Sequence, residues 1–185
     1  MISDREKWNQ RYADETADIP AADPFLVQHS HLLKSGRGLD LACGRGGNAI
    51  FLAQSGYVVD AVDISDIALA RLQVYSEQLR LNINCIHADL DNFELAKESY
   101  DLVAVFYFFS EHLIPSIKQT LRQDGLLCYA TYNEKHTSVQ PGFNPDYLVE
   151  PQALTRYFID FEIMVNELEA GANGNISRLI GRKII

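Results

Sequence analysis

The chain has 185 residues, a 47% apolar fraction and a formal net charge of −9. That size holds one domain with a sizeable core and is short for two. The charge argues against the broad basic footprint of a nucleic-acid binder, and no apolar run approaches the roughly 20 residues that span a bilayer. The polar start, Met1-Ile2-Ser3-Asp4-Arg5-Glu6-Lys7, has no secretory apolar stretch. Cys43, Cys85 and Cys128 stand singly in or beside predicted strands, which reads as reduced packing thiols of a cytoplasmic protein. The expected partner is a small molecule, with no nucleic acid and no membrane.

Asp4 to Tyr12 reads as a helix, and Pro20 and Pro24 break the chain beyond it. Phe25 to Lys34 reads as a second helix, stopped near Gly36. Alternating strands and helices come next. The first strand is Gly38 to Ala42 and its helix runs from about Asn48 to Gln54. The second strand is Tyr57 to Val62, and Ser65 is placed to cap a helix of Asp66 to Arg80. The third is Ile83 to His87. The fourth, Asp101 to Tyr107, is almost unbroken in its apolar character, as a strand covered on both faces would be. Glu111 to Arg122 reads as a helix with Pro115 in its first turn or dividing it. The fifth strand is Leu126 to Tyr132, and Pro151 opens a short helix to Phe158.

The end departs from alternation. Phe161 to Glu167 and Ile176 to Ile185 both read as strands, and the turn-rich segment 169–175 between them is too short for a crossover helix. These two strands must therefore pair antiparallel. The prediction is an α/β, Rossmann-like sheet of seven strands, six parallel and one reversed, with helices on both faces and a C-terminal antiparallel hairpin. It makes one domain over residues 1–185, with 1–35 an N-terminal helical segment and 36–185 the core.

Chemistry concentrates at Leu39-Asp40-Leu41-Ala42-Cys43-Gly44-Arg45-Gly46-Gly47-Asn48, a strand running into a glycine-rich turn, and at Asp63, nineteen residues after Gly44. Glycine lets backbone approach a bulky ligand closely. An acid at the tip of the neighbouring strand can accept hydrogen bonds from both ribose hydroxyls. Together they predict a pocket for an adenosine-containing cofactor. Gly44-Arg45-Gly46-Gly47-Asn48-Ala49 also satisfies the looser dinucleotide fingerprint, which keeps an NAD-dependent oxidoreductase open, but the chain lacks a substrate domain.

This element order, with the glycine turn first and the hairpin last, resembles the class I S-adenosylmethionine-dependent methyltransferases over nearly the whole chain. Within them, Trp8-Asn9-Gln10-Arg11-Tyr12, Leu39 to Gly46, Val62-Asp63-Ile64-Ser65 and Gly142-Phe143-Asn144-Pro145 look most like the small tellurite-resistance and thiopurine-type group. The family has three glycines at alternate positions. Ala42 replaces the first here, and one added methyl is tolerable at a strand end, while Gly44 and Gly46 stand.

The resemblance implies S-adenosyl-L-methionine as cofactor and assigns its contacts. Asp40 lies near the methionine portion, Asp63 takes the ribose hydroxyls, Ile64 packs on adenine, and Asp89 and Leu90 reach the adenine amino group. Phe106 ends the fourth strand beside the cofactor, and Tyr107 begins the aromatic run that flanks the transferred methyl. Trp8, Arg11 and Tyr12 form a lid, with Arg11 pairing the cofactor carboxylate. His112 is the candidate general base, though a lone histidine at a helix start is more often a surface or capping residue. Tyr132, Asn133 and His136 are further acceptor contacts on the rim. His29 and His31, with no cysteine cluster near, do not suggest a metal. Cys43 reads as structural.

The implied reaction is methyl transfer to a small-molecule acceptor by in-line displacement. No obvious base stands out, which favours a soft or already deprotonated nucleophile such as a thiol, selenium or tellurium species. A non-catalytic cofactor-binding sensor or scaffold is the rival from outside enzymology. A DNA amino-methylating enzyme is disfavoured, because no Asn/Asp-Pro-Pro-aromatic motif stands after the fourth strand.

Overall fold

The computed structural model of the protein describes residues 3–14, 18–171 and 174–184. The chain forms two compact units, Met1–Glu94 and Leu95–Ile185. Seven strands divide three to the first and four to the second. The result is the predicted seven-stranded, mostly parallel α/β fold with an antiparallel C-terminal hairpin.

In the first unit, α1 (Asp4–Asp14) and α2 (Pro24–Gln28) precede β1 (Gly36–Leu41), α3 (Gly47–Gln54), β2 (Tyr57–Asp63), α4 (Asp66–Leu79) and β3 (Ile83–His87). The strands lie in the order β3-β2-β1, all parallel, with Leu39 beside Asp60 and Val59 beside Ile83. Leu39, Leu41, Val59, Ala61, Leu52 and Leu72 are fully buried between strands and helices. Helix ends obey local chemistry. The Ser65 side chain accepts from the N–H of Ala68 and starts α4, and Arg80 at φ 54° stops it. The helix expected over 25–34 ends early, at Gln28. His29 turns its Nδ1 onto the Phe25 carbonyl at 2.9 Å, and Ser30–Leu32 continues only as a 3₁₀ turn.

The second unit holds β4 (Tyr100–Phe106), α5 (Ile114–Thr120), β5 (Leu121–Tyr132), α6 (Ala153–Tyr157), β6 (Phe161–Gly171) and β7 (Gly174–Lys183). Its strand order is β4-β5-β7-β6, with β7 running against both neighbours. Pro115 sits in the first turn of α5, behind a 3₁₀ turn at Glu111–Leu113, so the helix expected to Arg122 is both divided and shorter. Strand β5 starts five residues earlier than its apolar run. Leu121 pairs with Tyr100 and Leu126 with Leu102, so the polar residues between form an irregularity that includes Asp124 at φ 62°. Pro151 precedes α6 rather than opening it. The hairpin ladder continues through the turn-rich segment to Gly171 and Gly174. Residues 172–173, the centre of the expected turn, lie outside the described residues. Among the described residues no helix is long and apolar enough to cross a membrane.

The rings of Tyr129, Phe158 and Phe161 form a chain at 6.0 and 5.4 Å between centroids, with Phe158 fully buried. Phe158→Ala is expected to cost about 3–5 kcal/mol, read from a lower urea midpoint at unchanged m.

Candidate cofactor site

The turn after β1 is built from backbone. The N–H of Cys43 reaches the Val62 carbonyl at 3.0 Å, and that of Gly46 reaches the Cys43 carbonyl at 2.9 Å. Gly44 and Gly46 have φ of +53° and +80°, the left-handed region that glycine enters without cost. Space is short as well. A Cβ on Gly44 would stand 2.7 Å from the Tyr12 hydroxyl, so α1 lies against this turn. A Cβ on Gly47 would stand 2.3 Å from the Ala21 carbonyl oxygen, a requirement that the resemblance did not flag, although the adjacent glycine pair was its signal. Ala42 shares the left-handed region at φ 54°. The issue at this position is therefore backbone strain more than the bulk of a methyl.

Asp63 closes the turn from the next strand. One carboxylate oxygen accepts from the N–H of Gly44 at 2.7 Å and the other from the N–H of Ser65 at 2.8 Å. Burial raises its pKa, and the backbone donors at Ser65, Gly44 and Ile64 oppose that shift. The carboxylate keeps acceptor capacity for a further donor. Asp40 is 1% exposed, and its Oδ2 has no hydrogen-bond partner. Burial first, and then the charge of Asp63, push its pKa up to about 8 against the pull of the Ala49 N–H. A buried acceptor without a donor beside a glycine turn fits a ligand carrying both hydroxyls and a cationic amino group. The site residues thus suit an adenosine cofactor with an amino-acid tail.

The other expected contacts are mixed. Ile64 is half-buried and its carbonyl takes His87 Nε2 at 3.0 Å. Leu90 is buried. Asp89 is exposed, and its carboxylate serves its own turn, accepting from the N–H of Asp91 at 3.0 Å and from the Asn92 amide at 3.4 Å. On α1, Trp8 and Tyr12 are stacked at 5.8 Å and the Arg11 guanidinium lies 5.2 Å from the Trp8 ring. Cys43 and Cys85 are half-buried and Cys128 buried; burial raises all three thiols, Cys85 to about 11 and Cys128 to about 12. None is poised as a nucleophile. Among the described residues no group of three potential ligands gathers to hold a metal.

Within the second unit, Phe106 is buried at the end of β4 and Tyr107 is 42% exposed with φ 57°. A bulky residue held there marks strain of the kind that collects at functional sites. Its ring lies 5.2 Å from Tyr132, which stacks on His136 at 4.1 Å, and Phe143 meets both of those rings edge-on. His136 is buried and its Nδ1 has no partner. The fold thus gathers Tyr107, Tyr132 and His136, and adds Phe143, which the sequence named only within a family motif. Asn133 is instead committed to structure, capping the turn at Lys135 and donating to Ser177. His112 is exposed on the 3₁₀ turn, its Nδ1 2.7 Å from the Ser110 hydroxyl.

The strained and buried residues make stability depend on pH and on one methyl group. A carboxyl raised in the folded state holds its proton more tightly there than in the unfolded chain. Its contribution is therefore intact below the unfolded value of 3.8 and declines as pH rises towards about 8. Wild type should lose stability relative to Asp40→Asn across that window, by at most about 1.4 kcal/mol per pH unit, in urea titrations at stepped pH. Ala42→Gly should stabilise the fold by about 1 kcal/mol in the same assay.

A profile of the methyltransferase domain matches residues 39–125. The probable S-adenosyl-L-methionine-dependent methyltransferase TehB of Haemophilus influenzae strain Rd is 29% identical over 115 residues, taking in 60% of this chain and 40% of the relative. The matched region therefore spans well under half of that relative's length. The crystal structure of Haemophilus influenzae TehB superposes with a TM-score of 0.74 at 20% identity, covering 95% of this chain and 67% of the other. A structure solved for the conversion of a disulfide bond into a thioacetal group during echinomycin biosynthesis gives 0.75 at 17% identity, covering 97% and 91%. The domain match over residues 39–125, the sequence relatives and the shared fold agree with the glycine turn and its two acids: this chain is similar to the S-adenosyl-L-methionine-dependent methyltransferases in both sequence and fold.

Proposed function

We propose that the chain is one methyltransferase domain that methylates a small, soft nucleophile, a thiol, selenium or tellurium species, with its N-terminal segment as a lid. The observation that carries the cofactor half of this reading is the buried acid pair on the glycine turn, Asp63 with acceptor capacity to spare and Asp40 with an orphaned oxygen.

In this reading Asp63 holds the ribose, Asp40 faces the methionine portion, and the backbone at Gly44 and Gly46 admits the ligand closely. Ile64 covers the adenine, and Asp89 and Leu90 border it. Trp8 and Tyr12 close over the ligand and Arg11 pairs its carboxylate. The bound cofactor supplies an electrophilic methyl on a sulfonium. Tyr107 presents a half-exposed ring, and an aromatic face attracts such a cation by about 0.5–2 kcal/mol. The protein's remaining task is orientation, because a donor activated by its own charge needs an aligned nucleophile more than it needs acid or base help. The acceptor half rests on the ring cluster of Tyr107, Tyr132, His136 and Phe143. Sulfur-like atoms favour such polarizable walls. His112, exposed and engaged with Ser110, offers little as a general base.

The first test is calorimetric titration with S-adenosylhomocysteine, with NAD as control. Micromolar binding of the first and none of the second is expected, and the reverse would sink the assignment in favour of hydride transfer. Asp63→Asn, which keeps one acceptor oxygen for the turn, should weaken S-adenosylhomocysteine binding by about 2 kcal/mol, near thirtyfold, with the urea midpoint measured alongside to separate lost contacts from lost fold. Turnover should then appear with thiol, selenide or telluride acceptors before amines or alcohols. No turnover with any acceptor would favour a sensor or scaffold.

A further inference from the structure

Helix α1 is seated on α4 with no fully buried residue, only Trp8, Asn9 and Tyr12 being half-buried. Polar contacts tie it down. Arg5 Nε meets Asp66 Oδ1 at 3.1 Å, with both side chains about half exposed, where solvent screens the pair. The Arg71 guanidinium reaches the Ala13 carbonyl at 3.3 Å. Asn9 is placed better than either. Its Oδ1 accepts from the Ser65 hydroxyl at 2.6 Å and its Nδ2 donates to Asp66 Oδ1 at 2.7 Å.

Ser65 is fully buried and shared three ways. Its Oγ accepts from the Ala68 N–H at 3.1 Å as the cap of α4, its hydroxyl proton goes to Asn9, and its own N–H goes to Asp63. The other oxygen of Asp63 holds the N–H of Gly44, the residue that the Tyr12 hydroxyl covers. A closed circuit therefore runs from α1 through Asn9, Ser65, Asp63 and Gly44 back to α1.

We propose that Asn9 is a positioning residue that couples ribose occupancy at Asp63 to the seating of α1 over the glycine turn. The inference rests on the methyltransferase reading of Asp63. A ribose bound on the remaining acceptor capacity of that carboxylate tethers the Ile64-Ser65 backbone, and Ser65 passes the restraint to the Asn9 amide. The coupling is reciprocal: whatever steadies α1 on binding must, when removed, weaken binding by the same factor. Asp66 serves as the outer anchor. Arg5 and Asn9 hold its carboxyl down to about 2, so it stays charged at any working pH.

The test compares wild type, Asn9→Ala and Asn9→Gln by hydrogen exchange over residues 4–14 and by calorimetry, each with S-adenosylhomocysteine. In wild type the ligand should slow exchange in α1. Asn9→Ala should abolish that slowing and weaken binding about tenfold, mostly through faster dissociation, at an unchanged urea midpoint. Asn9→Gln, which keeps the amide, should restore part of both. Binding and slowing that persist in Asn9→Ala overturn the coupling while leaving the ribose assignment standing. Wild type that fails to bind S-adenosylhomocysteine overturns both. An Asn9→Ala chain that loses stability, with affinity falling only in proportion and no rescue by Asn9→Gln, reduces Asn9 to ordinary packing and also overturns the coupling.

Discussion

The first unit depends on where one carboxylate puts its two oxygens. Asp63 ends β2, yet it bonds the N–H of Gly44 after β1 and the N–H of Ser65 before α4. The turn from β1, the exit from β2 and the start of α4 are fixed by a single side chain. An acid held this way is 6% exposed; burial raises its pKa, and the donors around it oppose that shift only in part. Its neighbour Asp40 lacks such donors on one oxygen, and so bears the electrostatic tension of the pair. Burial raises both carboxyls, and the backbone donors on Asp63 oppose that shift where Asp40 has an oxygen left without a partner.

The second unit stores its tension in the backbone. Tyr107 leaves β4 in the left-handed region, and its N–H still closes onto the Ala130 carbonyl of β5 at 2.7 Å. That bond keeps the ring at the carboxyl ends of parallel strands, where open α/β sheets bind their ligands. Tyr132 comes from the matching end of β5, and the loop beyond it returns His136 and Phe143 to the same rings. The cluster is a product of register as much as of composition.

The strands were legible where a largely apolar run followed a turn residue, as at Tyr57 to Val62 after Gly56, and the hairpin was legible because 169–175 left no room for a crossover. Asp63 and the glycines were legible because their chemistry is local in sequence. The early start of β5 was hidden, since its pairing skips the polar residues before Leu126. The dihedrals of Ala42 and Tyr107 were hidden because tertiary packing, not residue type, imposes them. Asn9 was hidden by distance, 56 residues from the hydroxyl it binds, on a helix with no apolar face to announce its docking.

Strand β6 closes one end of the second unit's strand order and, among the described residues, is paired only by β7. Such an edge invites a further chain to add itself in register. Ile163 and Leu168 are exposed on the strand itself, which adds to the hazard. The ladder breaks between Ile163 and Val165, however, and the exposed Glu162 carries its charge along the same rim, met from behind by Arg182. An incoming copy would meet an interrupted template and a like charge. This hairpin therefore carries its own guard against fibrous self-association, and the guard lies in an irregularity that a straighter and more regular strand would lack.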